Sequence, residues 1–213
     1  MARTILFDLD GTLTDSGEGI LNCAELALRH FGLPVPDRQA MRVFVGPPLH
    51  DTFVKFGVPE DKAEEAVAVY RSRYTTVGKF ENTPYPGVHQ LLQALKDQGH
   101  TLLVATSKPE GMSVEIMDKF ELSCYFDRIC GASLDRSRSC KEDVIAYLLQ
   151  EYGKSNDMIM VGDTAFDVVG AAAHGIKTIG VSWGYGSVQE MKNAGVIAIA
   201  DTMEQLFELL NQQ

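Results

Sequence analysis

The chain carries near its start the stretch Ile5-Leu6-Phe7-Asp8-Leu9-Asp10-Gly11-Thr12, an apolar run that ends in two acids. The run is typical of a buried strand, which we place at residues 4–8. In an extended strand, residues i and i+2 face the same side, so Asp8 and Asp10 should lie together where the strand ends. Two like charges this close are unfavourable unless a cation offsets them or one carries a proton. The stretch therefore predicts a divalent metal site, an acid–base pair, or both.

Strand-like and helix-like patterns alternate from about residue 83 onward. Apolar strands are predicted at 101–106, 158–161 and 178–181, with weaker candidates at 128–130 and 196–200, and helices at 88–98, 112–120, 141–152 and 202–210. Continuous apolar strands that alternate with helices predict a parallel sheet covered on both faces. We therefore expect an α/β fold with a Rossmann-like three-layer core.

Residues 16–80 break this rhythm and show only helical patterns. A helix capped by Asp15 or Ser16 is expected to run to Phe31, where Gly32 stops it. Further helices are predicted at 37–45, 49–56 and 60–74. Residues 82–87 are rich in helix breakers, as a linker should be. We predict a catalytic core of residues 1–15 and 82–213 and an all-helical cap domain of residues 16–81 that opens and closes over the sheet.

Bulk properties of the 213-residue chain exclude several classes of partner. Its formal net charge of −10 argues against a nucleic-acid polymer or an anionic membrane as the main partner. The N-terminus lacks a signal-peptide pattern, and no apolar run approaches the roughly 20 residues that span a bilayer. The four cysteines show no metal-like spacing, which favours reduced thiols. We expect a cytoplasmic monomer or homodimer.

Three further polar signals follow predicted strands of the same sheet. Thr106 and Ser107 come after the strand at 101–105, Asp163 and Asp167 come after the strand at 158–161, and Lys141 opens a helix after the weaker strand at 128–130. In open α/β sheets, ligands bind where the strands end. Acids, hydroxyls and one ammonium group on a common edge predict a site for a metal and a phosphate.

Each of these residues also has a plainer interpretation. A calcium-binding loop would need an acid or amide at position 12 and a glutamate at position 19, where this chain has Thr12 and Gly19. Taken alone, Thr106 or Ser107 is typical of a turn, Lys141 of a solvated helix start and Asp163 of a helix cap. It is their order along the chain and their shared edge that favour a site.

Four motifs along this edge resemble those of the haloacid dehalogenase-like phosphohydrolase superfamily, and the resemblance covers essentially the whole chain. The motifs are Asp8-Leu9-Asp10-Gly11-Thr12, the strand that ends in Thr106, Lys141, and Gly162-Asp163 through Asp167. The resemblance includes a helical cap inserted after the first strand.

The resemblance implies a reaction and a role for each motif residue. Asp8 would attack phosphorus to form an aspartyl-phosphate, and Asp10 would protonate the leaving alcohol and later take a proton from water. Mg²⁺ would be held by the Asp8 side chain, the Asp10 backbone carbonyl and Asp163, and Asp167 would order these ligands. Thr106 and Lys141 would hold the phosphoryl oxygens, and the remaining phosphate-binding candidates are Ser107, Gly11 and Thr12.

The expected substrate is a small phosphorylated metabolite selected by the cap. Gly46-Pro47-Pro48 cannot continue a helix and should form a rigid corner, to which Arg42 adds a cation; these four residues are the specificity candidates. The segments 46–49, 131–135 and 138–139 resemble 5′-nucleotidases, whose close relatives are phosphoglycolate phosphatases. Ser107 and Cys140 depart from that pattern.

The leading hypothesis is a Mg²⁺-dependent phosphatase of small phosphomonoesters, with nucleoside 5′-monophosphates as one candidate class. The alternatives are a phosphoglycolate phosphatase, a phosphomutase of the β-phosphoglucomutase type, and a non-catalytic binding module. The aromatic loop 183–186 is either a packed rim of the site or a surface on which a base stacks.

Overall fold

The computed structural model describes residues 2–135, 137–155 and 157–212, and the chain forms two compact units. The sheet unit comprises Met1–Thr14 and Pro84–Gln213, and the helical unit comprises Asp15–Thr83. The helical unit therefore begins one residue before the predicted cap domain of 16–81 and ends two residues after it.

The described residues contain eight strands. They are β1 (Thr4–Phe7), β2 (Thr14–Asp15), β3 (Thr83–Pro84), β4 (Thr101–Pro109), β5 (Arg128–Ala132), β6 (Ile159–Gly162), β7 (Lys177–Val181) and β8 (Ala198–Ala200). Six of them form one sheet in the order β5-β4-β1-β6-β7-β8, and every pair in it is parallel. The short β2 and β3 pair with each other, where the chain passes between the two units.

Ten α-helices occur in the same described part of the chain. They are α1 (Gly17–His30), α2 (Arg38–Met41), α3 (Leu49–Lys55), α4 (Ala63–Tyr74), α5 (Val88–Asp97), α6 (Glu110–Lys119), α7 (Lys141–Tyr152), α8 (Ala165–Ala172), α9 (Val188–Ala194) and α10 (Met203–Gln212). The parallel sheet with flanking helices confirms the predicted α/β class.

Side chains of the central strands alternate between two apolar layers. Ile5 and Phe7 of β1 join one buried cluster, while Leu6 between them joins the other. The same alternation holds for β4 and β6, as the period of a strand requires. Because both faces of the strand are buried, its sequence reads as one continuous apolar run.

Several predicted boundaries were wrong. The prediction missed α8 and α9 altogether, and β4 runs three residues beyond Thr106 to Pro109. The helix predicted at 37–45 is α2 followed by a 3₁₀ turn at Arg42–Phe44, and the one at 60–74 starts as a 3₁₀ turn at Glu60–Lys62. These departures are local changes of helix type or length, which the apolar pattern does not resolve.

The helical unit is built mainly on α1 packed against α4. Gly19 of α1 contacts the backbone of Gly78 so closely that a Cβ atom at either position would overlap the other segment. Arg73 of α4 makes two hydrogen bonds to Glu81, at 2.7 and 2.6 Å. Because charge-assisted pairs of this fork geometry are strong, they fix the end of the unit against its longest helices.

In the described part of the chain, the helices are all too short or too polar to cross a lipid bilayer.

Candidate active site

The carboxyl end of β1 lies in the middle of the sheet, between β4 and β6. From β1 the chain builds one side of the sheet through β4 and β5, then returns to the other side of β1 at β6. Such a reversal opens a crevice at the carboxyl ends of the strands. Asp8 follows β1 directly, and its N–H donates to the carbonyl oxygen of Val161 at 2.9 Å. The backbone of Asp8 is thereby fixed at the crevice.

A tight turn follows Asp8 and brings the first motif against the fourth. The N–H of Gly11 donates to the carbonyl of Thr14 at 2.8 Å, and Gly11 has φ +84°, a conformation that favours glycine. The hydroxyl of Thr12 donates to Oδ1 of Asp163 at 3.4 Å. The two motifs, which lie far apart in sequence, thus share a hydrogen bond within the site.

Lys141 is the cation at the centre of the site. Its Nζ lies 2.7 Å from Oδ1 of Asp8 and 2.7 Å from Oδ1 of Asp167, and it donates to the carbonyl oxygen of Ala105 at 2.7 Å. The register of β4 against β5 shifts between Ala105 and Pro109, so this carbonyl stands where the strand pairing is irregular. The stem of Lys141 packs on Gly170 of α8, where a larger residue would collide with it.

Asp167 holds two partners with its two oxygens. It lies in the first turn of α8, and its Oδ2 accepts hydrogen bonds from the backbone N–H of Thr164 at 3.0 Å and from the Thr164 hydroxyl at 2.8 Å. Its Oδ1 faces Lys141. The spacing of the fourth motif is therefore explained by a helix start: Asp167 completes the capping box of α8 with Thr164 and at the same time orients the site lysine.

Asp163 is not the cap of α8, since Thr164 occupies that position. Its Oδ2 instead accepts the backbone N–H of Tyr185 at 2.7 Å. Gly11 and Gly184 both lie so close to this carboxyl group that a Cβ atom at either would overlap it. The loop 183–186 is consequently a wall of the site, and the Trp183 indole N–H also donates to the carbonyl of Thr12 at 3.2 Å.

The buried acids of the site carry more negative charge than Lys141 offsets. Carboxylate oxygens of Asp8, Asp163 and Asp167 all lie within 4.8 Å of one another, and all three residues are buried. Burial, followed by the carboxylates of Asp167 and Asp8, raises the pKa of Asp163 from 3.8 to about 8. Burial likewise raises the pKa of Asp8 to about 6, although Lys141 opposes it. For Lys141 the two carboxylates outweigh the effect of burial and raise its pKa.

This donor set fits a divalent cation. Three buried carboxylates supply hard oxygen ligands, which Mg²⁺ prefers. The two positive charges of such an ion would also relieve the repulsion between the carboxylates that raises the pKa of Asp163. The residues that could hold the ion are Asp8 and Asp163, with Asp167 next to them. The carboxylate of Asp10 does not belong to this group of three. The metal contact predicted for the backbone carbonyl of Asp10 stays a prediction.

Sequence reasoning missed the partner of Asp10. Nζ of Lys108 lies 2.6 Å from Oδ2 of Asp10, and both side chains are largely buried, with 6% and 15% of their surface exposed. The signal was present only as a lysine two residues after Thr106. Because β4 was predicted to end at Thr106, Lys108 had no assigned place in the site.

The other predicted residues lie as follows. Thr106 is buried, and its hydroxyl accepts the backbone N–H of Lys108 at 3.3 Å; Ser107 is half-buried. In the helical unit, Gly46-Pro47-Pro48 lies between the 3₁₀ turn that contains Arg42 and the start of α3. The part that these four residues play in substrate selection stays a prediction.

Comparison with known proteins agrees with the motifs. A family model described as haloacid dehalogenase-like hydrolase matches residues 5–181. The chain is 43% identical over 190 residues to a 5′-nucleotidase of Pseudomonas aeruginosa, covering 88% of this chain and 86% of that protein. It is 42% identical over 211 residues to tyrosine-protein kinase PtkA of Mycobacterium tuberculosis, covering 98% of this chain and 72% of that protein.

A solved structure described as a predicted phosphatase from Clostridium acetobutylicum is similar over the full length of both chains, with a TM-score of 0.94 and 43% identity. The similarity therefore extends over the sheet unit and the helical unit alike.

Proposed function

Because the chain belongs to the haloacid dehalogenase-like hydrolase family and is a phosphoric monoester hydrolase, we propose that it hydrolyses small phosphomonoesters through an aspartyl-phosphate formed on Asp8. One observation carries the proposal: Asp8 stands at the end of the central strand within 2.7 Å of Lys141, in a cluster with Asp163 and Asp167. A carboxylate is a weak nucleophile toward a phosphate dianion. It needs cations that neutralise the phosphoryl oxygens, and this cluster supports such an arrangement.

Each site residue has a role in the proposed reaction. Asp8 forms the bond to phosphorus, and Lys141 holds both the Asp8 carboxylate and the phosphoryl oxygens. Thr106, Ser107, Thr12 and the backbone around Gly11 bind the remaining phosphoryl oxygens by hydrogen bonds. Asp10 gives a proton to the leaving alcohol and later takes one from the attacking water, help that is worth on the order of 10²–10⁴ in rate.

Mg²⁺ is the cofactor that the donor set supports. Asp8 and Asp163 would hold it together with the backbone carbonyl of Asp10, and Asp167 would fix the site through Lys141 and the start of α8. The ion would supply positive charge to the phosphoryl oxygens. The cluster of buried acids supports this assignment, because a divalent ion would offset the repulsion that remains beside Lys141 and raises the pKa of Asp163.

Nucleoside 5′-monophosphates are the substrate class that we propose first. The similarity to a 5′-nucleotidase supports this choice, as do the sequence segments at 46–49, 131–135 and 138–139. Phosphoglycolate and sugar phosphates are the competing classes. A phosphomutase would share the first half of the reaction and return the phosphoryl group to a second sugar hydroxyl. A kinase, which is what the mycobacterial relative is named for, would pass a phosphoryl group from a nucleoside triphosphate to tyrosine.

The decisive experiment is phosphate release with Mg²⁺ over a panel of nucleotides, sugar phosphates and phosphoglycolate. We expect the highest kcat/KM for nucleoside 5′-monophosphates. Transfer to a second sugar hydroxyl or to an added tyrosine peptide, in place of release, would identify a mutase or a kinase. No release from any member would support a non-catalytic module and overturn the proposal.

Two substitutions separate the acids. Asp8→Asn should abolish turnover, because the amide cannot form the acyl-phosphate; Asp10→Asn should leave at most slow phosphorylation, because the leaving alcohol no longer receives a proton. The exposed Asp61→Asn in the helical unit is the matched control and should keep wild-type rates. Single turnover in ¹⁸O-water reports which atom of the intermediate the water attacks: attack on phosphorus puts the label in phosphate, whereas attack on the acyl carbon would put it in Asp8. Turnover by the Asp8→Asn variant would contradict the role given to Asp8.

A further inference from the structure

The two oxygens of Asp10 have different surroundings. Oδ2 is held by the ammonium group of Lys108 at 2.6 Å. Oδ1 is buried, and in the described part of the chain it has no hydrogen-bond partner. A buried oxygen without a partner is unfavourable and calls for an explanation in a folded protein. Lys108 therefore holds one oxygen of Asp10, and the other oxygen makes no hydrogen bond to a described residue.

Lys108 reaches Asp10 because of the way β4 continues past the site. The strand extends to Pro109, with a register shift between Ala105 and Pro109. The N–H of Lys108 donates to the hydroxyl of Thr106, and its carbonyl oxygen lies against Gly131, where a Cβ atom would collide with it. The backbone of Lys108 is thus fixed on both sides. Its side chain is only 6% exposed, and its ammonium group contacts Asp10.

From this geometry we infer that Lys108 is a positioning residue for Asp10, which holds Oδ2 so that Oδ1 is the atom that exchanges the proton with the leaving alcohol. The inference rests on the proposed phosphatase reaction and assigns an atom and a partner within it. Lys108 belongs to none of the four sequence motifs. From sequence alone, a lysine two residues after the second motif is expected on the surface, whereas the structure buries it.

The proton balance of the reaction is closed with these atoms. In the first step an Asp8 oxygen bonds to phosphorus, the bond from phosphorus to the alcohol oxygen breaks, and the proton on Oδ1 of Asp10 passes to that oxygen. In the second step a water oxygen bonds to phosphorus, its proton passes to Oδ1 of Asp10, and the bond to Asp8 breaks. Asp10 ends as it began, and one water has been consumed for each ester.

The contact with Lys108 matters in the step in which Asp10 faces the leaving alcohol. Because Lys108 holds Oδ2 at 2.6 Å, the carboxyl group of Asp10 keeps one orientation, and Oδ1 keeps one direction. A catalytic group that loses its orientation by about 1 Å can cost on the order of 10² in rate. The benefit should depend on how much the leaving group needs a proton.

The test compares two substrates that differ in this need. An alkyl phosphate releases a strongly basic alkoxide unless it is protonated, whereas p-nitrophenyl phosphate releases a stable anion. We expect Lys108→Met to lower kcat/KM for the alkyl phosphate about 10²-fold, the size of effect that a misplaced catalytic group produces, and to change the value for p-nitrophenyl phosphate less than about threefold. kcat/KM is the proper quantity because it reports only the steps through release of the alcohol.

Matched variants separate positioning from stability. Lys119→Met removes an exposed lysine at the end of α6 and should match the wild type on both substrates. Lys108→Arg keeps the cation but moves the donors, so it should show an intermediate loss on the alkyl phosphate alone; it also serves if the methionine variant does not fold. In the Asp10→Asn background, Lys108→Met should have no further effect on the ratio of the two substrates.

The outcomes distinguish this inference from the proposed function. Equal losses on both substrates, or no loss on either, would overturn the role of Lys108 while leaving the phosphatase intact. Absence of phosphate release by the wild-type protein would overturn the proposed function itself. In that case a crystal structure of Lys108→Met still tests the contact: an unchanged Asp10 side chain would show that Lys108 does not position it.

Discussion

At the scale of single residues, glycines determine where the carboxylate of Asp163 can lie. Gly184 and Gly11 each leave the space that this side chain occupies, and Tyr185 donates its backbone N–H to it. A carboxylate held by packing and by one backbone donor keeps its orientation when the ion binds. Such outer contacts typically change metal affinity 10–100-fold when removed.

We therefore expect Gly184→Ala to raise the Mg²⁺ concentration for half-maximal activity by about tenfold or more, because its Cβ atom would overlap the side chain of Asp163. The measurement is phosphate release against Mg²⁺ concentration. Gly111→Ala is the matched control, since it lies in α6 with open space around it and should leave the Mg²⁺ dependence unchanged. An unchanged dependence in Gly184→Ala would show that the contact does not matter for metal binding.

The residues of the site were only partly accessible to sequence reasoning. Asp8, Lys141, Asp163 and Asp167 could be placed on one edge because each follows a strand or opens a helix, and strand ends in a parallel sheet share an edge. The pairing of Lys108 with Asp10 could not be predicted, since it depends on how far β4 extends and on its register shift. Neither property is encoded in the apolar pattern of the strand.

At the scale of elements, α8 links helix formation to the chemistry. Its first turn is closed by Thr164 and Asp167, and the same aspartate faces Lys141. The start of this helix thus orients the lysine. We therefore expect loss of the cap to lower both the free energy of unfolding and kcat.

Thr164→Val keeps the shape of the side chain and removes the hydroxyl that donates to Asp167. We expect it to lower the free energy of unfolding by about 1 kcal/mol, typical of a lost cap or hydrogen bond, and also to lower kcat. Thr202→Val, which removes a comparable contact to Gln205 near the start of α10, is the control that should cost stability without changing kcat. Urea unfolding and phosphate release measure the two effects. Equal kcat in both variants would show that the contact between Thr164 and Asp167 affects stability but not catalysis.

Helices with a clear apolar periodicity were predicted well, whereas α8 and α9, which lack one, were missed. The leucine-rich pattern of α5 and the pattern of α7 mark a buried face at helical spacing. In α8 the residues are small or apolar on every side, and α9 has only seven residues. Such segments offer no periodic signal, because their position is set by packing against neighbours that the local sequence does not contain.

At the scale of the whole molecule, the site lowers stability when no cation is bound. In folded protein the pKa values of Asp163 and Asp8 are raised to about 8 and about 6, so the native state binds more protons than the unfolded chain above pH 4. The stability that this proton binding contributes is present at low pH and is lost as the pH rises through these values. A bound divalent ion would relieve the same repulsion between the carboxylates that proton binding relieves at low pH.

We expect the melting temperature of metal-free protein to fall between pH 6 and pH 8, and saturating Mg²⁺ to remove most of this fall. At an ion concentration of 100 times Kd the gain in stability is about 2.7 kcal/mol. Differential scanning calorimetry with chelator or with Mg²⁺ measures both curves. Asp163→Asn, which cannot ionise, should flatten the metal-free curve and lose the response to Mg²⁺. A metal-free melting temperature that rises over this range would contradict the assignment of the cluster.

The pairing of β2 with β3 also has a consequence for the order of folding. β1 pairs with β4, and all of Asp15–Thr83 lies between these strands in sequence. Closing so long a loop is entropically costly before any sheet contact rewards it. Once the helical unit has formed, however, β2 and β3 already bring the two ends of that loop together. We therefore expect formation of the helical unit to shorten the search that β1 and β4 must make, and so to favour early formation of this strand pair.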